Sequence, residues 1–233
     1  MKLIVNSDDY GLTKGVNYGI IEALQNGVLR STTAMVNMPA IDHAVKLSKV
    51  NPELGVGLHL VLSAGYPLVK GHKTIVDEKG HFLKGSVLEK SEVDIEEVYR
   101  EYKAQMEKFI ELFGRKPTHI DGHHHTHKLP QTQAATLRLA KEYSIDYVRS
   151  LSNHPEFIST FYADKVGIED FKQLINERKD EKILEIMCHT AFIDVDLLHI
   201  SSYNSNRVKE LETLVSPEII QWVKDEGIEL THF

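Results

Sequence analysis

The sequence holds one cysteine, Cys188, among 233 residues. That excludes an internal disulfide and any cysteine-built zinc cluster, and it fits a reducing compartment. No stretch approaches the roughly 20 apolar residues that span a bilayer. The apolar start Leu3-Ile4-Val5 is far too short for a signal peptide. The expectation is a cytoplasmic protein without a membrane partner. Basic residues are outnumbered by acidic ones, 27 to 34, which argues against a nucleic-acid surface. A Gly-x-Gly-x-x-Gly turn is also missing. The first apolar run ends in Asn6-Ser7-Asp8-Asp9-Tyr10-Gly11, where two carboxylates would repel a pyrophosphate, so a Rossmann fold is disfavoured.

An apolar content of 42% excludes disorder. The length suits one domain, 1–233. Apolar runs read as strands at 3–6, 32–36, 54–62, 118–121, 145–149, 183–187 and 228–231. Helical spacing or helix-start signals fall at 13–25, 39–49, 94–113, 130–142 and 216–227. About seven strands, most followed by a helix, argue a parallel α/β architecture, either a barrel or a doubly wound sheet. Segments 63–90 and 150–165 break the rhythm and read as long loops, a lid or substrate walls.

Histidine is in excess, at 13 copies, and the chemistry gathers where strands end. Asp8 and Asp9 follow strand one, His59 lies near the end of strand three, His123, His124, His125 and His127 follow strand four just after Asp121, Arg149 ends strand five, and His189 follows strand six. In parallel α/β folds that edge of the sheet binds ligands. An Asp-Asp pair is as often a turn or helix cap as a site, and strand alternation would send the two to opposite faces. Both reach one site only if the chain turns, which Gly11 would allow. In Gly55-Val56-Gly57-Leu58-His59, alternation puts His59 on a face otherwise stripped of side chains, with room for something else. Adjacent imidazoles have little packing purpose. His123 and His127 stand four apart, as in helix-borne metal pairs, so either can be the ligand from this strand. Cys188 beside an apolar strand reads as packing.

These motifs, together with Pro117-Thr118-His119 and Cys188-His189-Thr190-Ala191-Phe192, resemble the YdjC-like carbohydrate deacetylases, of which the chitooligosaccharide deacetylases are the best described. The resemblance implies an irregular seven-stranded β/α barrel and hydrolysis of an N-acetyl group from a short sugar chain in oligosaccharide degradation. It further implies a divalent metal, usually magnesium, on Asp9, His59 and His123, with Asp8 as general base and His189 as general acid. Thr190 stands where proline is familiar, a change expected to loosen the loop holding His189. Two imidazoles and a carboxylate suit zinc better than magnesium on ligand chemistry alone. The expected partner is a small acetylated sugar, with a homodimer as the oligomeric expectation. A metallophosphoesterase, a non-haem iron oxygenase and a non-catalytic sugar-binding or regulatory protein are the competing readings. The βα rhythm opposes the oxygenase, the absence of ligands for a second metal opposes the phosphoesterase, and the clustered Asp8, Asp9 and His127 oppose the binding protein.

Overall fold

A computed structural model describes all 233 residues. In chain order it runs β1 (Lys2–Tyr10), α1 (Lys14–Gln25), β2 (Ser31–Ala34), α2 (Ile41–Val50), β3 (Gly55–Leu60), α3 (Gly85–Leu88) and α4 (Ile95–Phe113). Then come β4 (Ile120–Gly122), a 3₁₀ segment His123–Lys128, α5 (Gln133–Tyr143), β5 (Glu156–Ile158), α6 (Ile168–Asn176) and β6 (Ile183–Cys188). The chain closes with α7 (Val195–Ile200), α8 (Ser205–Leu214), α9 (Pro217–Asp225) and β7 (Glu229–Leu230).

All strand pairs are parallel, in the order β4-β3-β2-β1-β6-β5. β7 joins β1 at Lys2 and Leu3, below the level at which β2 begins its pairing at Asn6. β4 and β5 do not pair, so the sheet curls into an incomplete barrel with a seam. The strand face turned to the covering helices is hydrophobic, while the inner face carries buried polar side chains such as Asn6, Asp8, His59, Asp121 and Glu185. Leu3, Val5, Val56, Leu58, Leu184 and Ile186 all belong to the main buried cluster. The helices start where the chain supplies acceptors for free N–H groups. Thr13 accepts from Val16 at the head of α1, and Asp94 accepts from Glu96 at the head of α4. Gly114, at φ +68°, closes α4.

Four expectations change. Residues 145–149 make only one bridge, Val148 to Ile120, and the fifth strand lies inside the segment read as a loop, at Glu156–Ile158. Helices α6, α7 and α8 were not foreseen. Segment 63–90 is bolted down rather than loose. Glu101 accepts the backbone N–H groups of Leu68 and Val69, and Glu97 accepts those of Lys73 and Thr74. Both carboxylates are buried on α4, so residues 68–74 are tied to that helix through their backbone. Finally, the face carrying Gly55 and Gly57 is filled. A Cβ at Gly55 would lie 2.5 Å from the Cβ of His232, and one at Gly57 would lie 2.5 Å from the His119 ring. The glycines admit two rings that plug the barrel floor, and His59 sits above them.

Candidate active site

The C-terminal edge of the sheet brings the expected residues together. Pairing registers Ser7 with Cys188, Tyr10 with Ala34, Ala34 with Leu58 and Leu58 with Ile120, so the C-terminal ends of β6, β1, β2, β3 and β4 lie side by side. The alternation problem at Asp8 and Asp9 is solved inside β1. The β1–β2 register shifts between Ser7 and Tyr10, and Asp9 takes φ +72°. This bulge turns Asp9 to the same side as Asp8. A non-glycine residue held in the left-handed region is strained, and such strain persists where the surroundings over-determine it.

Ligand atoms of Asp9, His59 and His123 lie within 4.8 Å of one another. Asp9 Oδ1 is 3.0 Å from His123 Nδ1 and 3.4 Å from His59 Nε2. His59 uses its other nitrogen, donating from Nδ1 to Asp121 Oδ1 at 2.7 Å, an arrangement that orients an imidazole toward a metal. Burial pulls the pKa of His59 down, but Asp121, Asp9 and Asp8 outweigh it and raise it to about 10. The pocket thus favours positive charge at that point. Asp9 is held well below the usual carboxylate range, since Arg207 and His123 overcome its burial. Asp8, His59 and Asp121 also lie close together, but there a guanidinium already fills the cationic role.

That guanidinium is Arg149. It donates to Asp8 Oδ2 and Oδ1 at 2.7 and 2.9 Å, approaches Asp121 Oδ2 at 2.7 Å, and donates from Nε to Glu185 Oε1 at 2.7 Å. All four residues are buried. Burial alone would raise Asp8, yet Arg149 holds it below its ordinary value. Glu185, with burial dominant, is pushed up to about 7.

The histidine run divides its labour. His123 reaches the ligand trio. His124 and His125 adopt φ of +52° and +56°, and His124 Nδ1 meets Ser63 Oγ at 3.0 Å, joining the run to segment 63–90. His127 is fully buried and donates from Nε2 to the Arg149 carbonyl at 3.0 Å. The i, i+4 spacing does not make a metal pair because left-handed residues interrupt the helix between them. His127 instead props up Arg149.

His189 leaves β6 beside Asp8. Its backbone N–H donates to Glu210, and its ring lies edge-on to Tyr162 and Tyr203. Burial first and then Arg207 press its pKa down to about 4. The expected loosening at Thr190 is reversed. Thr190 donates its N–H to Ser7 Oγ at 3.0 Å, and its hydroxyl meets the same oxygen at 3.0 Å. Proline could make neither bond.

Several residues escaped sequence reasoning. Arg149 was visible as a strand-end charge without a role, and Asp121 ends the run 118–121 as a charge of the same kind. Glu185, a carboxylate inside the apolar run Ile183-Leu184-Glu185-Ile186, was itself a signal, since a buried strand carries a charge only against a partner. Arg207, which donates to Asp9 Oδ2 at 2.7 Å, and Glu210 had no legible signature.

The fold is that of the family 4 carbohydrate esterases. One from Streptomyces lividans, solved with acetate, superposes with a TM-score of 0.59 at 13% identity, covering 100% of this chain and 92% of that one. The chain itself belongs to the YdjC-like family, described as YdjC-like protein, whose model matches residues 2–225. Carbohydrate deacetylases of Clostridium beijerinckii and Geobacillus stearothermophilus are 43% and 44% identical to it, over 100% and 97% of this chain and 99% and 94% of theirs. A crystal structure from Enterococcus faecalis V583, described as a cellobiose-phosphate cleavage protein, has a TM-score of 0.93 at 34% identity, covering 99% of this chain and 97% of that one.

Proposed function

We propose that the protein is a carbohydrate deacetylase that hydrolyses N-acetyl groups of short N-acetylglucosamine-containing chains, with a divalent cation on Asp9, His59 and His123. The observation that carries this reading is the convergence of those three ligand atoms within 4.8 Å beside a buried carboxylate, Asp8, that ligates nothing in the trio. The donor set fits a cation: His59 is aimed by Asp121, and Asp9 Oδ1 faces both imidazoles. Two nitrogens and one oxygen favour a transition ion such as zinc over magnesium. A cation held there supplies Lewis-acid stabilisation of negative charge on the acetyl oxygen.

The chain supplies the rest. Asp8 is the base that takes the proton of the attacking water. Arg149 fixes its carboxylate through two bonds and keeps it ionised. His189 leaves the neighbouring strand at the same level and delivers a proton to the departing sugar amine, a poor leaving group until protonated. With its pKa pressed to about 4, the ring rests neutral at pH 7. It becomes the donor by taking the water's proton from Asp8, and it passes that proton to the amine nitrogen as the C–N bond breaks. Tyr162, stacked on Tyr203 at 4.3 Å and half exposed beside His189, offers a flat apolar face on which a pyranose ring can lie.

Asp9→Ala, His59→Ala and His123→Ala test the cation site. After extensive dialysis each is expected to retain substoichiometric metal and to release no acetate from N-acetylated chitooligosaccharides, while the native protein keeps its metal and releases acetate. Full metal occupancy in one variant removes that residue from the ligand set. No acetate release by the metal-loaded native protein would defeat the deacetylase reading itself.

His189→Ala separates proton donation from positioning. Loss of an acid is expected to slow amide hydrolysis by about 10²–10⁴-fold and to slow an aryl acetate, whose phenolate leaves unaided, much less. Equal slowing of amide and ester would assign the ring to holding substrate instead.

A further inference from the structure

Helix α8 sends two buried side chains into the site from one face, Arg207 and Glu210. Arg207 lies 198 residues from Asp9 in sequence, and its Nη2 donates to Asp9 Oδ2 at 2.7 Å. The other oxygen of Asp9, Oδ1, is the one facing His123 Nδ1 and His59 Nε2. The carboxylate is therefore split, with one oxygen toward the two imidazoles and the other toward a guanidinium.

We propose that Arg207 is a positioning residue that reserves Oδ2 of Asp9 and so commits Asp9 to bind the cation through Oδ1 alone. This rests on the cation-dependent reading above. A carboxylate ligates through one or two oxygens, and the second oxygen takes up a coordination position. Three single-atom ligands leave an open site for water and substrate oxygen, and a two-oxygen Asp9 would consume part of that opening.

The guanidinium is built to hold this position. Its Nε donates to the Tyr203 carbonyl at 2.7 Å, and its Cζ sits 5.7 Å from the centroid of the Tyr203 ring. The Tyr203 hydroxyl in turn donates to Glu210, which also takes the backbone N–H of His189. One turn of α8 thus fixes the metal-side aspartate and the loop of the proposed acid together. Asp9 needs that hold, since its backbone is strained at φ +72°. Lysine cannot replace this arginine, because a single ammonium reaches Asp9 or the Tyr203 carbonyl without the fixed fork that serves both.

The test uses the full-length protein loaded with Co(II), whose visible d–d absorption weakens as coordination number rises above four. Arg207→Met is expected to keep one Co(II) per chain, with weaker d–d absorption than native and kcat lowered about 10–100-fold at little changed KM. Arg207→Lys, the milder change should the methionine variant not fold, is expected to show the same spectral shift to a smaller extent. A native d–d spectrum with kcat within about twofold of native in either folded variant would overturn the proposal. Loss of Co(II) from a folded variant would overturn it too, because Arg207 would then be needed for ligation and not for its mode. Failure of the native protein to take up Co(II) would instead strike the cation reading on which this one rests.

Discussion

Arg149→Met is expected to cost about 3–5 kcal/mol of stability at pH 8, the usual penalty for removing one partner from a buried charge cluster. Small proteins are stable by only about 5–15 kcal/mol, so this is a large share of the total. Arg149 is the counter-charge of Asp8, Asp121 and Glu185 at once. Methionine keeps the length and the apolar stem and leaves three buried carboxylates facing one another. For a chain of this size the loss corresponds to a fall in Tm of roughly 6–20 °C.

The sign of the pH dependence adds a second check. Glu185 has its pKa raised to about 7 in the folded protein, with burial as the largest cause and Arg149 opposing it. A carboxyl raised on folding favours the fold when protonated and costs stability as the pH climbs through that value. Removing Arg149 takes away the group that restrains this rise, so the folded-state pKa moves further up. The gap in Tm between variant and native protein should therefore narrow between pH 8 and pH 6. A variant whose Tm at pH 8 lies within about 2 °C of native would show the cluster to be held by other means. A gap that widens toward pH 6 would reverse the assigned sign.

Much of the site could be read from the sequence because its chemistry falls at strand ends, where hydrophobic runs stop and polar residues begin. Asp8, Asp9, His123 and His189 follow such stops, His59 lies inside the run 54–62, and the structure brings them to one edge. What alternation could not supply was a common side for Asp8 and Asp9. The answer is a bulge with Asp9 itself in the left-handed region, and the turn does not wait for Gly11. Local pattern carries no sign of that, since bulges are set by how two strands register.

The residues that support the site were harder to see for a definite reason. Helix α8 buries Arg207, Glu210 and Thr213 along with Leu211 and Leu214. Hydrophobic periodicity finds helices whose buried face is apolar, and here a large part of the buried face is polar because it meets Asp9 and the His189 loop. Strand β5 was lost for another reason. Glu156-Phe157-Ile158 is three residues long, and only Ile158 is fully buried, too little for a pattern of period two. Conversely, Ile145 to Arg149 looks like a strand and yields one bridge. Arg149 there is held by its ion pairs and by His127 beneath its carbonyl, contacts that no local reading contains.

Asp8→Asn is expected to lower turnover about 10²–10⁴-fold, the span typical of a general base, while retaining the cation. The two oxygens of Asp8 are not equivalent. Oδ1 accepts from Asn6 Nδ2 at 2.9 Å and from Arg149 Nη2 at 2.9 Å, with Thr33 Oγ1 at 3.5 Å. Oδ2 accepts only from Arg149 Nη1, at 2.7 Å. The lone pair left to take a proton from water is therefore on Oδ2. Asparagine can place its carbonyl at only one of these positions, and its NH2 must then face an arginine N–H or the Asn6 amide. The side chain loses a base and also loses one bond of the Arg149 pair. Metal content and Tm must accordingly be measured with the rate. Bound metal equal to native, a modest fall in Tm and a collapsed kcat identify Asp8 as the base. Near-native kcat would place the base elsewhere. Loss of the metal would mean that Asp8 helps to hold the cation, and the division of labour between the paired aspartates would have to be abandoned.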